Sequence, residues 1–142
     1  MLTVGLPGER LGGALRSTGR AAIGADFAAQ DAARLQDGEV QAGLGLVATA
    51  SAALMRARVR LACEVRQRGL HTAEGMSLAD WLAVRCPDLA KPVLHDLVRM
   101  AQASQEQVHA PLVDGVLTGG MSLERAATVH RALARIRRAV SP

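Results

Sequence analysis

Gly75–Leu82 reads G-M-S-L-A-D-W-L, and the fold is read outward from it. It holds Trp81, the sole tryptophan of the chain; Phe27 is the sole phenylalanine, and tyrosine is absent. Ser77 with Asp80 three residues on is an S-x-x-D variant of the capping box, which starts a helix by satisfying orphan backbone N–H groups. Leu78, Trp81 and Leu82 then share one helical face. Pro87 stops the helix near Arg85, because the residue before proline avoids the helical region. The stretch predicts a turn at Gly75, a cap at Ser77, and Trp81 plugged between a long helix before it and another after it.

Composition points the same way. The chain has 142 residues, a length that sets one domain as the prior. Its hydrophobic share is 49%, much of it alanine, while strand formers are scarce, so helix wins on propensity. The core should be thin, built of Leu, Val and Ala stripes. The basic residues are sixteen Arg to one Lys, and the net charge is +4. Cys63 and Cys86 lack C-x-x-C spacing and read as reduced, buried thiols. Glu9, Arg10, Arg16 and Arg20 interrupt any signal-peptide core. The uncharged run Val40–Met55 is too short and too polar for a membrane span. A soluble, cytoplasmic chain without membrane, metal or cofactor is expected.

In order, residues 1–38 carry scattered glycines and balanced charge. They are expected to form a mobile or loosely packed arm, mostly irregular, with short helical turns at Glu9–Ser17 and Asp26–Leu35. Residues 39–142 form the helical domain. Glu39–Arg68 reads as one long helix closed by Gly69. Val40, Leu44, Val47, Ser51, Leu54, Arg58, Leu61 and Val65 make its apolar face at alternating spacings of four and three. Arg58 interrupts that face, either snorkelling to its edge or pairing with Asp80 or Asp96. Glu64 is placed one turn from Arg60 as its partner. A third helix starts near Pro92, a fourth runs from Pro111 to Gly119-Gly120, and Ser122 caps a fifth. The fifth turns Leu123, Ala126, Val129, Leu133 and Ile136 inward. The expected fold is all-α, about five helices with no sheet, one long helix packed on a bundle of shorter ones.

Charge is unevenly divided. Residues 39–68 carry +3, residues 69–120 carry −3 and residues 121–142 carry +4. Arg131, Arg135 and Arg138 recur at i, i+4, i+7, opposite Val129, Leu133 and Ile136, and the fourth and fifth helices have the length of a helix-turn-helix. Together with Arg56 and Arg60, these arginines are the candidate phosphate contacts for DNA. The competing reading is a solvated arginine face. No aromatic lies beside them, which argues against single-strand stacking. Catalytic constellations are not found. His71 and Glu74 lack a third metal ligand, His95 and Asp96 are adjacent and point apart, and His109 and His130 are isolated.

From Leu61 onward the order L-A-C-E-V-R-Q-R-G, G-M-S-L-A-D-W-L, L-V-R-M-A and P-L-V-D-G-V-L-T-G-G-M-S-L-E-R-A resembles the actinobacterial domain of unknown function 222, the thirteen-E-twelve repeat family. The resemblance spans about residues 39–138. Lys91 and Gly115 depart from it where a small cap and an Ala-Leu step are usual. It implies a non-catalytic helical module that precedes an HNH endonuclease domain and assists DNA binding. The chain itself contains no asparagine, which HNH chemistry needs beside its histidine base and metal. The alternatives are a helical interaction or self-association module, with a homodimer or a missing C-terminal nuclease domain as partner, or a truncated reading frame.

Overall fold

The structure is a computed structural model that describes residues 7–141. The first six residues of the expected arm, and Pro142, lie outside the described residues. Among the described residues every regular element is helical and no strand occurs. The described residues form seven α-helices rather than about five: α1 Pro7–Ala29, α2 Asp37–Arg68, α3 Leu70–Ala73, α4 Leu78–Arg85, α5 Lys91–Ala103, α6 Ala110–Leu117 and α7 Leu123–Val140. Short 3-10 turns sit at Ala32–Arg34 and Gln107–His109.

The chain forms two units, the first ending at Val47 and the second beginning at Ala48. In the first, α1 is a helix of 23 residues where an irregular arm was expected. Its glycines each cost about 1 kcal/mol of helix propensity, but its many alanines, with Leu and Arg, favour the helix. No residue from Gly8 to Leu54 is buried.

The second unit holds the core. Val59, Ala62 and Val65 of α2 join Leu78, Trp81 and Leu82 of α4, Leu94, Leu97, Met100 and Ala101 of α5, Val113 and Val116 of α6, and Leu123 and Ala126 of α7. α5 lies at the middle, packed against α4, α6 and α7. Local signals set the helix ends as the sequence indicated. Gly69 closes α2 at φ 65, a left-handed geometry that only glycine adopts without strain, and Gly75 turns the chain at φ 69. Ser77 Oγ accepts from Asp80 N at 3.1 Å, and Ser122 Oγ accepts from Arg125 N at 3.1 Å.

Two faces differ from expectation. On α2 the buried positions are Val59, Ala62 and Val65, with Met55 and Cys63 half-buried, whereas Val40, Leu44, Val47, Leu54 and Leu61 are exposed. On α7 the buried positions are Leu123, Ala126, Ala127 and His130, while Val129, Leu133 and Ile136 are exposed. On α2 the inner face is turned so that Val65, as expected, is joined by Val59 and Ala62; on α7 Leu123 and Ala126 stay inward as expected, and Ala127 and His130 join them in place of the larger Val129, Leu133 and Ile136. By length and composition α2 is long and apolar enough to cross a membrane; its best window has mean hydropathy 1.2 and none of it is buried. The two cysteines are free thiols, each half-buried rather than fully enclosed, and burial pushes the Cys63 thiol up, keeping it protonated.

Candidate interaction surfaces

The five candidate arginines do not form one surface. Arg60 Nη2 donates to the Leu117 carbonyl at 3.3 Å. Arg56 lies beside it: its Nη1 is 3.6 Å from where a Cβ on Gly119 would stand. Both guanidiniums therefore sit at the C-terminal end of α6, where uncapped carbonyls and the negative end of the helix dipole favour a cation. Arg131 Nη2 donates to Asp96 Oδ1 at 3.2 Å, bridging α7 to α5. Arg138 Nε donates to Ala134 O of its own helix at 3.4 Å. Arg135 is exposed and makes no side-chain hydrogen bond or ion pair among the described residues. Of the expected phosphate contacts, only Arg131 is paired with an acid among the described residues; Arg56 and Arg60 lie against the end of α6, and Arg135 and Arg138 lie on α7.

Other pairings also moved. Arg58 bonds Asp88 at 3.0 Å, not Asp80 or Asp96, because Asp88 lies in the turn that follows α4. Glu64 pairs with Arg68 at 2.6 Å, leaving Arg60 to cap α6. Arg85 stacks 3.6 Å from the Trp81 ring centroid and bonds Glu74 at 3.0 Å, so Glu74 is engaged in an ion pair rather than with His71. Among the described residues no group of three or more His, Cys, Asp or Glu is placed to hold a metal.

His109 and His130, isolated in sequence, meet in space. Their rings sit edge to face with centroids 4.4 Å apart, both buried. Arg99 Nη1 lies 3.3 Å from His130 Nδ1, and since the guanidinium can only donate, the neutral ring keeps its proton on Nε2. Glu106 completes the cluster, 3.2 Å from His109 Nε2 and 3.0 Å from Arg137. Burial holds the His130 pKa below its ordinary value, with His109 and Arg99 adding to the effect. Asp96 of α5, paired with Arg131, is pushed up by burial, against the pull of that arginine.

The sign of the pH dependence follows. The unfolded chain protonates His130 at its ordinary pKa of about 6.5 while the folded one resists, so stability is complete above that value and is lost as pH falls through the window below it. Asp96 works oppositely, adding stability only as pH falls towards the carboxylate range. Melting temperature is expected to fall between about pH 7 and pH 5. Thermal melts of His130→Gln should show a flatter slope over that window; an equal slope would place the titration elsewhere.

Uncovered apolar surface is the other feature. On α7, Val129, Leu133, Ile136 and Val140 recur at i, i+4, i+7 and i+11, with Leu133 40% and Ile136 58% exposed. By helical angle this stripe lies on the far side of the core-facing residues from Arg131, Arg135 and Arg138. In the first unit, Ala28, Ala29, Leu35, Val40, Leu44 and Val47 help line an open apolar groove of about 440 Å³.

No family model, curated protein or solved structure matches this chain.

Proposed function

We propose that this chain is a non-catalytic, cytoplasmic helical docking module, of the kind the domain-222 resemblance places ahead of HNH endonuclease domains. One observation carries the reading: α7 keeps a four-residue aliphatic stripe, Val129 to Val140, in solvent while burying alanines and a histidine on its other side. Regularly spaced aliphatic residues on an exposed helix face mark a surface that another helix covers. Arg125, by helical angle, flanks the stripe and would steer an acidic rim onto it. The partner is the nuclease domain itself, bound in cis or in trans.

Titration calorimetry with a purified HNH domain from a member of that family should give micromolar binding. The Leu133→Asp/Ile136→Asp double variant should abolish the heat while keeping the helical circular dichroism of the parent, since neither side chain is in the core. Absence of heat with the parent chain would overturn the reading.

A second reading, assistance to DNA binding, is favoured by Arg135 and Arg138, which stand close together without acidic partners on the opposite side of α7. Two phosphate contacts give a shallow salt slope of about −2 in log–log form. Electrophoretic shifts across a salt series should show that slope, lost in Arg135→Ala/Arg138→Ala; a retained slope in the variant would sink this reading.

A further inference from the structure

The connection between α5 and α6 is held against α7 by one side chain. Across residues 104–112 only His109 is buried, at 5% exposed, and the ring it meets is that of His130 on α7, at 9% exposed. Residues 105–108 are exposed. The start of the connection stays tied to its neighbours: Ser104 Oγ donates to the Ala101 carbonyl at 2.6 Å, and Gln105 Nε2 to Gln67 Oε1 at 3.2 Å. The part that can lift away is therefore residues 106–109, a segment of few buried contacts and so of low local stability. Beyond His130, α7 has no buried residue among those described. Ion pairs hold that outer half, Arg131 to Asp96 at 3.2 Å and Arg137 to Glu106 at 3.0 Å. Glu106 thus fastens α7 as well as its own segment.

We propose that the His109–His130 contact is a pH-operated latch: a proton taken up by His130 releases residues 106–109 from α7 and, with them, the Glu106–Arg137 tie. The neutral ring is the closed state, in which Nδ1 accepts from Arg99 at 3.3 Å. A proton on that nitrogen sets two donors against each other at the same distance. It also places a cation against His109, whose ring centroid is 4.4 Å away. The charged and titratable groups that face His130 are His109, Arg99 of α5, Glu106, and Arg137 of its own helix. Glu106 is one carboxylate, already shared between His109 and Arg137, against two guanidiniums and an imidazolium. Repulsion of this kind is stronger inside a protein than in water, so the cheaper response is to let solvent in. His109 gains from leaving. Its Nδ1 is buried without a hydrogen-bond partner, and in the open state that nitrogen meets water. Opening also removes the burial that resists charge on His130.

Native-state hydrogen exchange of the full chain, with urea kept below the unfolding transition, tests the latch. The reporter is the His109 amide, which donates to the Glu106 carbonyl at 2.9 Å. It should be less protected than the Leu97 and Met100 amides of α5, and its protection should not depend on urea, as expected of a local opening. That protection should fall by up to about tenfold between about pH 7.5 and about pH 5.5, the factor an open-state histidine of ordinary pKa, about 6.5, supplies. In His130→Gln, whose amide oxygen can accept from Arg99 but takes no proton, the fall should vanish. A His109 amide that follows Leu97 and Met100 in step with urea assigns the titration to global unfolding and overturns the latch. A pH dependence retained in His130→Gln overturns it as well. Ring-nitrogen NMR of the unsubstituted chain needs no variant to fold. It should show neutral His130 with its proton on Nε2; a proton on Nδ1, or protonation without faster exchange at His109, overturns the proposal.

Discussion

Trp81→Ala should destabilise the second unit by about 3–5 kcal/mol, a large part of the total stability of a domain this size. Trp81 is 9% exposed and belongs to the cluster that joins α2, α4, α5, α6 and α7. The remainder of that cluster is aliphatic, mostly Leu, Val and Ala, so no neighbour is large enough to fill the space an indole leaves. One further loss accompanies the cavity. Arg85, stacked on the ring and tied to Glu74, loses its platform at the edge of the core. One effect runs the other way: the indole Nε1 is buried without a hydrogen-bond partner, so removing it relieves a polar cost of about 1–3 kcal/mol. Trp81→Phe separates the terms, since it drops the unpaired N–H while keeping an aromatic under Arg85. It should cost far less than alanine. Thermal melts of both variants check this: alanine is expected to lower the midpoint by at least about 12 °C. An unchanged midpoint would show that the unit is pinned elsewhere.

Leu97→Ala should cost about 2–5 kcal/mol, with the upper half of that range expected. Leu97 is fully buried on α5, the helix that packs against α4, α6 and α7. Met100 and Ala101, one turn on, are also fully buried, which leaves little freedom for the site to collapse around a smaller side chain. Leu133→Ala on α7 is the matched control. It removes the same atoms from a side chain already 40% exposed, and should cost under about 1 kcal/mol. Denaturant midpoints for the pair distinguish the buried from the uncovered face of the bundle. Equal losses would mean that Leu133 is covered in solution, which the docking reading would then have to supply.

These two residues also show where sequence reading succeeds. The stretch Gly75–Leu82 was legible because its signals are local: Ser77 bonds the Asp80 N–H, Gly75 takes a left-handed turn, and Leu78, Trp81 and Leu82 are one face of a short helix. The all-α class was legible from alanine abundance and the lack of strand formers. The starts and ends near Gly69, Pro92, Pro111 and Ser122 were legible for the same local reason. Short α3 and the helical nature of Pro7–Ala29 were missed, since four residues leave no periodic pattern and frequent glycine imitates a loop.

The choice of face was not legible, and the candidate sites depend on it. In an alanine-rich helix the small side chain is compatible with either side, so the largest apolar residues mark an apparent inner face. α7 keeps Leu123 and Ala126 inside as expected but adds Ala127 and His130 rather than Val129, Leu133 and Ile136, because close approach to α5 and α6 needs small side chains and because His130 finds His109 and Arg99 there. The same packing decides the arginines. Spacing alone put Arg56, Arg60, Arg131, Arg135 and Arg138 among phosphate contacts. Three of them meet partners distant in sequence: the end of α6 for Arg56 and Arg60, and Asp96 for Arg131. By itself, then, the sequence determined that this chain is helical, where most of its helices begin and stop, and that Trp81 belongs in the core, because each depends on residues within a few positions. Which stripe faces inward, which arginines remain available and which histidines touch depend on contacts between distant segments. Only the tertiary structure decided those.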